Sequence, residues 1–173
     1  MKEMNRKQII SLLILGFAGA AIGGWIYEEI CVYVMYHYIY NRGMLHLPLC
    51  PIYGFGAWGL YALFHKIKNP LVYCLSSICA ASVFEYACSV VIEKVFHTSF
   101  WSYRDWAFSI NDRISLISSA LFGLLAVFFA KVMMPCLRKC VKKGNANVWL
   151  AVSLVVLAVI AGDFVLVMRG CAG

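Results

Sequence analysis

Long apolar runs alternate with short polar ones along this chain, at about 8–38, 50–66, 71–96, 114–135 and 148–168. A helix that crosses a bilayer needs about 20 mainly apolar residues to span a hydrocarbon core of about 30 Å. The pattern therefore predicts an all-α, polytopic membrane bundle of about five transmembrane helices. The run at 50–66 is short and opens Cys50-Pro51-Ile52-Tyr53-Gly54-Phe55-Gly56. Pro51 suits a first helical turn, and the glycines allow either an ordinary helix or a broken one lining a cavity. The first run follows Lys2, Arg6 and Lys7 and contains Ala18-Gly19-Ala20, which resembles a signal-peptide cleavage site. Its apolar character continues past Glu29 to Tyr38, longer than a signal needs, so retention as a span is expected.

Composition agrees with the pattern. Of 173 residues, 63% are hydrophobic and 13% charged, with a mean hydropathy of +0.80, which excludes an ordinary soluble domain. The runs occupy most of the chain, so one integral membrane domain covering 1–173 is expected. The net charge of +7 is not a nucleic-acid signature, because the basic residues are not gathered on a folded surface with aromatic residues between them. They read as topology instead. Lys2, Arg6, Lys7, Lys66, Lys68, Lys131, Arg138, Lys139, Lys142 and Lys143 fall at one set of ends, whereas Arg42, Lys94, Arg104, Arg113 and Arg169 fall at the other. The positive-inside rule then places the N-terminus in the cytoplasm and the C-terminus outside, in a multi-pass protein of the inner (cytoplasmic) membrane.

Ionisable groups within apolar runs are costly unless paired or hydrated, and so mark a working site. Leu71 to Glu85 is about 21 Å of helix rise, and Glu85, Ser89 and Glu93 follow at steps of four, within about 80° of one another. That stripe cannot face lipid cheaply. In the first run, Gly16, Ala20 and Gly24 lead to Glu28 at the same spacing, and Gly19 and Gly23 add a GxxxG pair. Small residues in such a row let helix backbones approach closely in lipid, which turns Glu28 into the bundle. Asn111 or Asp112 is expected to cap the fourth span, placing Arg113 in its first turn. There the helix dipole disfavours a cation by about 0.3–1 kcal/mol, so Glu85, Glu93 or Glu28 is expected to pair with it. Trp101, Tyr103 and Trp106 alternate with polar residues across 97–112, as in an interfacial re-entrant loop or surface helix. Asp163, in the last run, either joins the same site or is a protonated, hydrogen-bonded carboxylic acid that holds helices together.

The expected polar network or ligand-binding set is therefore Glu28, Asn41, Arg42, Tyr53, Glu85, Ser89, Glu93, Trp101, Tyr103, Asn111 and Arg113. Eight cysteines carry neither a disulfide framework nor zinc spacing. Cys136-x-x-x-Cys140 is the nearest approach to a metal motif and lacks nearby histidines, so neither a metal nor a cofactor is expected.

Several stretches carry a family likeness: Gly24-Trp25-x-Tyr27-Glu28, Asn41-Arg42-Gly43, Pro48-x-x-Pro51-Ile52-Tyr53-Gly54-x-Gly56, Glu85-Tyr86, Glu93, Phe96, Trp101-x-Tyr103 and Asn111-x-Arg113. Together they resemble the bacterial membrane family called "putative ABC-transporter type IV", or CmpB-like, over about 24–125. The resemblance implies a permease or transport-associated protein, with the lipid bilayer and an ABC ATPase or other membrane subunit as partners. In that reading the charged residues line an outward-facing polar site for a small solute, ion or lipid headgroup. Two other functions compete with it: an intramembrane enzyme acting on cell-envelope lipids, with a carboxylate as base and Arg113 or Arg42 on a phosphate, and a structural scaffold. No Ser-His-Asp order, HExxH, Walker loop or CxxC set selects a reaction.

Overall fold

A computed structural model describes residues 4–38, 45–97, 99, 101–104 and 106–171. It is helical almost throughout: α1 Arg6–Tyr36, α2 Pro51–Phe64, α3 Pro70–Phe96, α4 Leu116–Phe128, α5 Met134–Lys143 and α6 Ala146–Cys171. A π-helical turn, Phe129–Met133, joins α4 to α5, and a small antiparallel hairpin, β1 Ser109–Ile110 and β2 Ile114–Ser115, precedes α4. Four helical stretches are long and apolar enough to cross a membrane: Arg6–Met35, Pro70–Val95, Leu116–Lys143 and Ala146–Gly170. The all-α polytopic class read from the apolar pattern is thus the fold observed. The run at 50–66 forms a helix of 14 residues. Its rise of about 21 Å is short of the full hydrocarbon core.

The chain divides into two compact units, Met1–Trp58 with Met133–Gly173, and Gly59–Val132. In the first, α1 starts from a capping box in which Asn5 accepts from the Gln8 backbone and Gln8 accepts from that of Asn5. Gln8 also donates to the Val141 carbonyl at 3.1 Å, and Lys7 to Asn147 at 2.7 Å. Helices α1 and α6 consequently begin at the same end, and Ser11 meets Ser153 one turn further along. The two helices run parallel.

The small-residue row of α1 is the seat for the start of α2. Trp58 lies on Gly16, and the Tyr53 ring lies on Gly24 so closely that a Cβ there would come within 2.1 Å of it. Tyr53 then reaches Glu28, with a hydrogen bond of 2.5 Å. Before α2 the connection folds back along the helices. The Cys50 N–H donates to the Ala21 carbonyl at 2.9 Å, and Ala21 is about 22 Å of rise beyond Arg6. Leu45 and Leu49 bury themselves against Ala21, with Ile160 and Val167 of α6 alongside. Asp163 accepts from the Leu47 N–H at 3.0 Å and from His46 Nδ1 at 2.9 Å. Irregular backbone at membrane depth is tolerated only where protein satisfies its polar groups, and Asp163 does this here. Of its two expected roles, holding elements together is the one this geometry displays.

In the second unit α3 packs along α4. Asn69 caps α3 by accepting from Leu71 and Val72, with Pro70 in the first turn. Tyr73, Ala126 and Ala130 form the buried centre with Leu60, Tyr61 and Phe64 around them, and Gly123 admits Ile78 and Cys74. The π turn brings Lys131 over the Tyr73 ring, 5.0 Å from its centroid, and onto the Ile67 carbonyl at 2.5 Å. Lys131 thus ties off the α2–α3 turn.

The segment before α4 departs from expectation. Of the two forms expected for it, a re-entrant loop or a surface helix, no helix forms among its described residues; it makes the β1–β2 hairpin, whose turn places Asn111 and Asp112 at φ of 53° and 58°. Asn and Asp tolerate that left-handed region better than other side chains. Neither caps α4: Ser115 holds the N-cap position, and its hydroxyl donates to the Ala107 carbonyl and accepts no bond from the helix. Arg113 therefore lies in the turn and not in the first helical turn, and the dipole penalty does not apply to it.

Two substitutions test this packing. Gly24→Ala drives a methyl into the Tyr53 ring and is expected to cost about 1–3 kcal/mol, seen as a lower thermal midpoint in detergent; an unchanged midpoint contradicts the contact. Asp163→Ala strands the Leu47 N–H at a cost of about 1–3 kcal/mol. Faster hydrogen exchange across residues 45–50 is the expected signature, and unchanged exchange there contradicts it.

Candidate functional site

The α3 stripe predicted from spacing is covered by the segment that leads into α4. At its deeper end Glu85 accepts from the Tyr103 hydroxyl at 2.6 Å, and that hydroxyl also meets Ser118 of α4 at 3.1 Å. Tyr103 is fixed by its backbone, whose N–H donates to the Asp112 carbonyl at 2.9 Å, and by Trp106, whose ring stands edge-on at 5.5 Å. A neutral phenol, itself met by a serine, thus donates to a carboxylate within an apolar helix pair. A phenolic O–H pointing at a carboxylate is a charge-assisted hydrogen bond, stronger than a neutral one.

One to two turns further along α3, Arg113 donates through one terminal nitrogen to Ser89 at 2.9 Å and through the other to Glu93. Its guanidinium lies 5.8 Å from the centre of the Tyr86 ring, while Asn111 donates to the Tyr86 hydroxyl at 2.9 Å. Trp101 donates from its indole nitrogen to the Arg113 carbonyl at 3.2 Å, so both the backbone and the side chain of this arginine are held. Ser89 is buried, the Arg113 side chain is 23% exposed and that of Glu93 53%. With one partner half in solvent, the ion pair itself contributes no more than about 1 kcal/mol. Ser89 and the Tyr86 ring hold the guanidinium on its other sides. Arg104 and Asp112 make a further exposed pair at 3.3 Å.

Seven of the expected residues, Glu85, Ser89, Glu93, Trp101, Tyr103, Asn111 and Arg113, are therefore brought together in the second unit. Glu93, not Glu85, is the carboxylate that Arg113 engages. Glu28 and Tyr53 belong to the first unit, where they bond each other and Tyr27 stands edge-on to Tyr53 at 5.9 Å. Asn41 and Arg42 lie outside the described residues. Sequence reasoning missed Ser118 and Tyr86 as members of the cluster. The Ser118-Ser119 pair inside an apolar run was the available signal for the first, and Ser119 in turn bonds Ser82 at 2.8 Å. Cys136 and Cys140 are exposed thiols on α5, and among the described residues no three His, Cys, Asp or Glu side chains gather to hold a metal.

Long apolar helices with charged side chains drawn onto polar partners define a multi-pass membrane protein. The chain belongs to the family described as "Putative ABC-transporter type IV", which matches residues 15–168. That match is wider than the 24–125 over which the motifs run. No curated protein and no solved structure matches the chain. Membership associates this membrane protein with ABC transport.

The bridging phenol is the part of the cluster most open to a clean test. Tyr103→Phe removes one hydroxyl and leaves the ring, and the expected loss is about 1–3 kcal/mol, because a part-buried carboxylate loses a charge-assisted donor. Thermal unfolding in detergent measures it; a midpoint equal to that of the unaltered protein contradicts the Glu85–Tyr103–Ser118 arrangement.

Proposed function

We propose that the protein is a transport-associated subunit, of permease or accessory type, in the cytoplasmic membrane, and that it receives an anionic group of a small solute, ion or lipid at Arg113. One observation carries this reading: an arginine aimed by Ser89 and Tyr86, with a half-exposed carboxylate beside it, at the end of a membrane-spanning helix. Arginine suits the role because its planar fork presents paired donors to carboxylate or phosphate. The distribution of basic residues supports an N-terminus in the cytoplasm and an Arg113 cluster toward the outer face. Arg138, Lys139, Lys142 and Lys143 then form a basic cytoplasmic end on α5, available to an ABC ATPase or another subunit.

Isolation in native lipid, with mass spectrometry of the proteins and small molecules that accompany the chain, tests the reading. The unaltered protein is expected to carry an ATPase subunit and an anionic solute or lipid. Arg113→Met is expected to lower retention of the anion by about tenfold, the equivalent of about 1.4 kcal/mol, while the ATPase stays bound. Equal retention by both proteins contradicts the role of Arg113, and the absence of any ATPase contradicts the transport association.

A further inference from the structure

The first unit contains a cavity of about 810 Å³ between α1, the start of α2 and α6. Its walls are apolar, from Phe17 and Phe55 through Leu157, Ala161 and Phe164, and among the described lining residues Glu28 is the only acidic or basic side chain. Phe17 and Glu28 lie eleven residues apart on one helix, so the cavity extends over about 16 Å of α1 rise, with the carboxylate at one end. Glu28 is about 33 Å of rise from Arg6, at the bilayer boundary opposite the N-terminus, and Phe17 is about 16 Å from it, near mid-bilayer. Polar end and apolar body therefore match the depths of a headgroup and an acyl chain. The Glu28 carboxylate is held in place by the Tyr53 hydroxyl at 2.5 Å, and Tyr53 by its seat on Gly24.

We propose that this cavity binds a phospholipid whose headgroup ends in a primary ammonium, with the ammonium on Glu28 and one acyl chain lying along Phe17, Leu157, Ala161 and Phe164. Charge selects the head. A carboxylate beside low-dielectric walls attracts a cation more strongly than in water, and a primary ammonium adds N–H donors that make the contact a charge-assisted hydrogen bond. A trimethylammonium head has the charge but no N–H to donate, and a glycerol phosphate head brings a net negative charge toward Glu28. This site involves neither Arg113 nor an ATPase, so it stands or falls independently of the transport reading.

Native mass spectrometry of delipidated protein titrated with dioleoyl phosphatidylethanolamine, phosphatidylcholine and phosphatidylglycerol tests the proposal. The ethanolamine lipid is expected to bind about tenfold more tightly than either of the others, the effect of one charge-assisted contact. Glu28→Gln is expected to erase that preference while keeping the cavity's shape, and Ala161→Phe to abolish binding by filling it. Equal affinity for the three lipids overturns the proposal, as does a preference that survives in Glu28→Gln. Should either variant fail to fold, phosphatidylethanolamine carrying a photoreactive group in its acyl chain decides with the unaltered protein: adducts on residues 157–165 or on Phe17 support the site, and adducts elsewhere overturn it.

Discussion

A polar group at membrane depth must find a partner within the protein, because lipid offers none. That constraint shapes every irregular feature described above. On α3 it is met by a segment that folds back over the stripe of Glu85, Ser89 and Glu93 and delivers the Tyr103 hydroxyl and the Arg113 guanidinium to it. Ahead of α2 it is met by Asp163, which accepts from the backbone of Leu47 and from His46 where the chain turns back at depth. At the α2–α3 turn Lys131 takes the Ile67 carbonyl. In each case side chains from a neighbouring element complete a backbone or another side chain.

Small residues make these completions possible by letting elements come close. Without a side chain at Gly24 the Tyr53 ring can lie against α1 and extend to Glu28. Gly123 does the same for α3 and α4, where Ile78 and Cys74 fill the space a side chain would occupy. Hydrophobic driving force is weak between helices in lipid, so such close approach supplies much of the packing. Polar satisfaction and close packing thus depend on the same few positions.

Much of this was legible in the sequence, for identifiable reasons. Apolar runs longer than a bilayer crossing requires leave little choice of fold class, and a four-residue spacing forces Glu85, Ser89 and Glu93 onto one face whatever surrounds them. The row Gly16, Ala20, Gly24, Glu28 likewise signalled a packed face, and Trp58 and Tyr53 lie on it. What escaped was set by tertiary contact. The 97–112 region alternates aromatic and polar residues, a pattern that suits a re-entrant loop and a surface helix alike, and the β1–β2 pairing that forms there runs to partners at 114 and 115, beyond the alternating stretch. The Ser118-Ser119 pair gave only a weak sign of its role, because a hydroxyl in an apolar helix can bond its own backbone as readily as a neighbour. The depth of the turn at Cys50 depends on a hydrogen bond to Ala21, a contact between residues that no local pattern links.

An experimental structure of the protein in lipid nanodiscs decides whether the polar side chains of α3 find these partners. The Arg113 guanidinium is expected within hydrogen-bonding distance of both Ser89 and Glu93, with the Tyr103 hydroxyl on Glu85. A guanidinium turned outward to the headgroups, with Glu85 facing acyl chains, would contradict that arrangement.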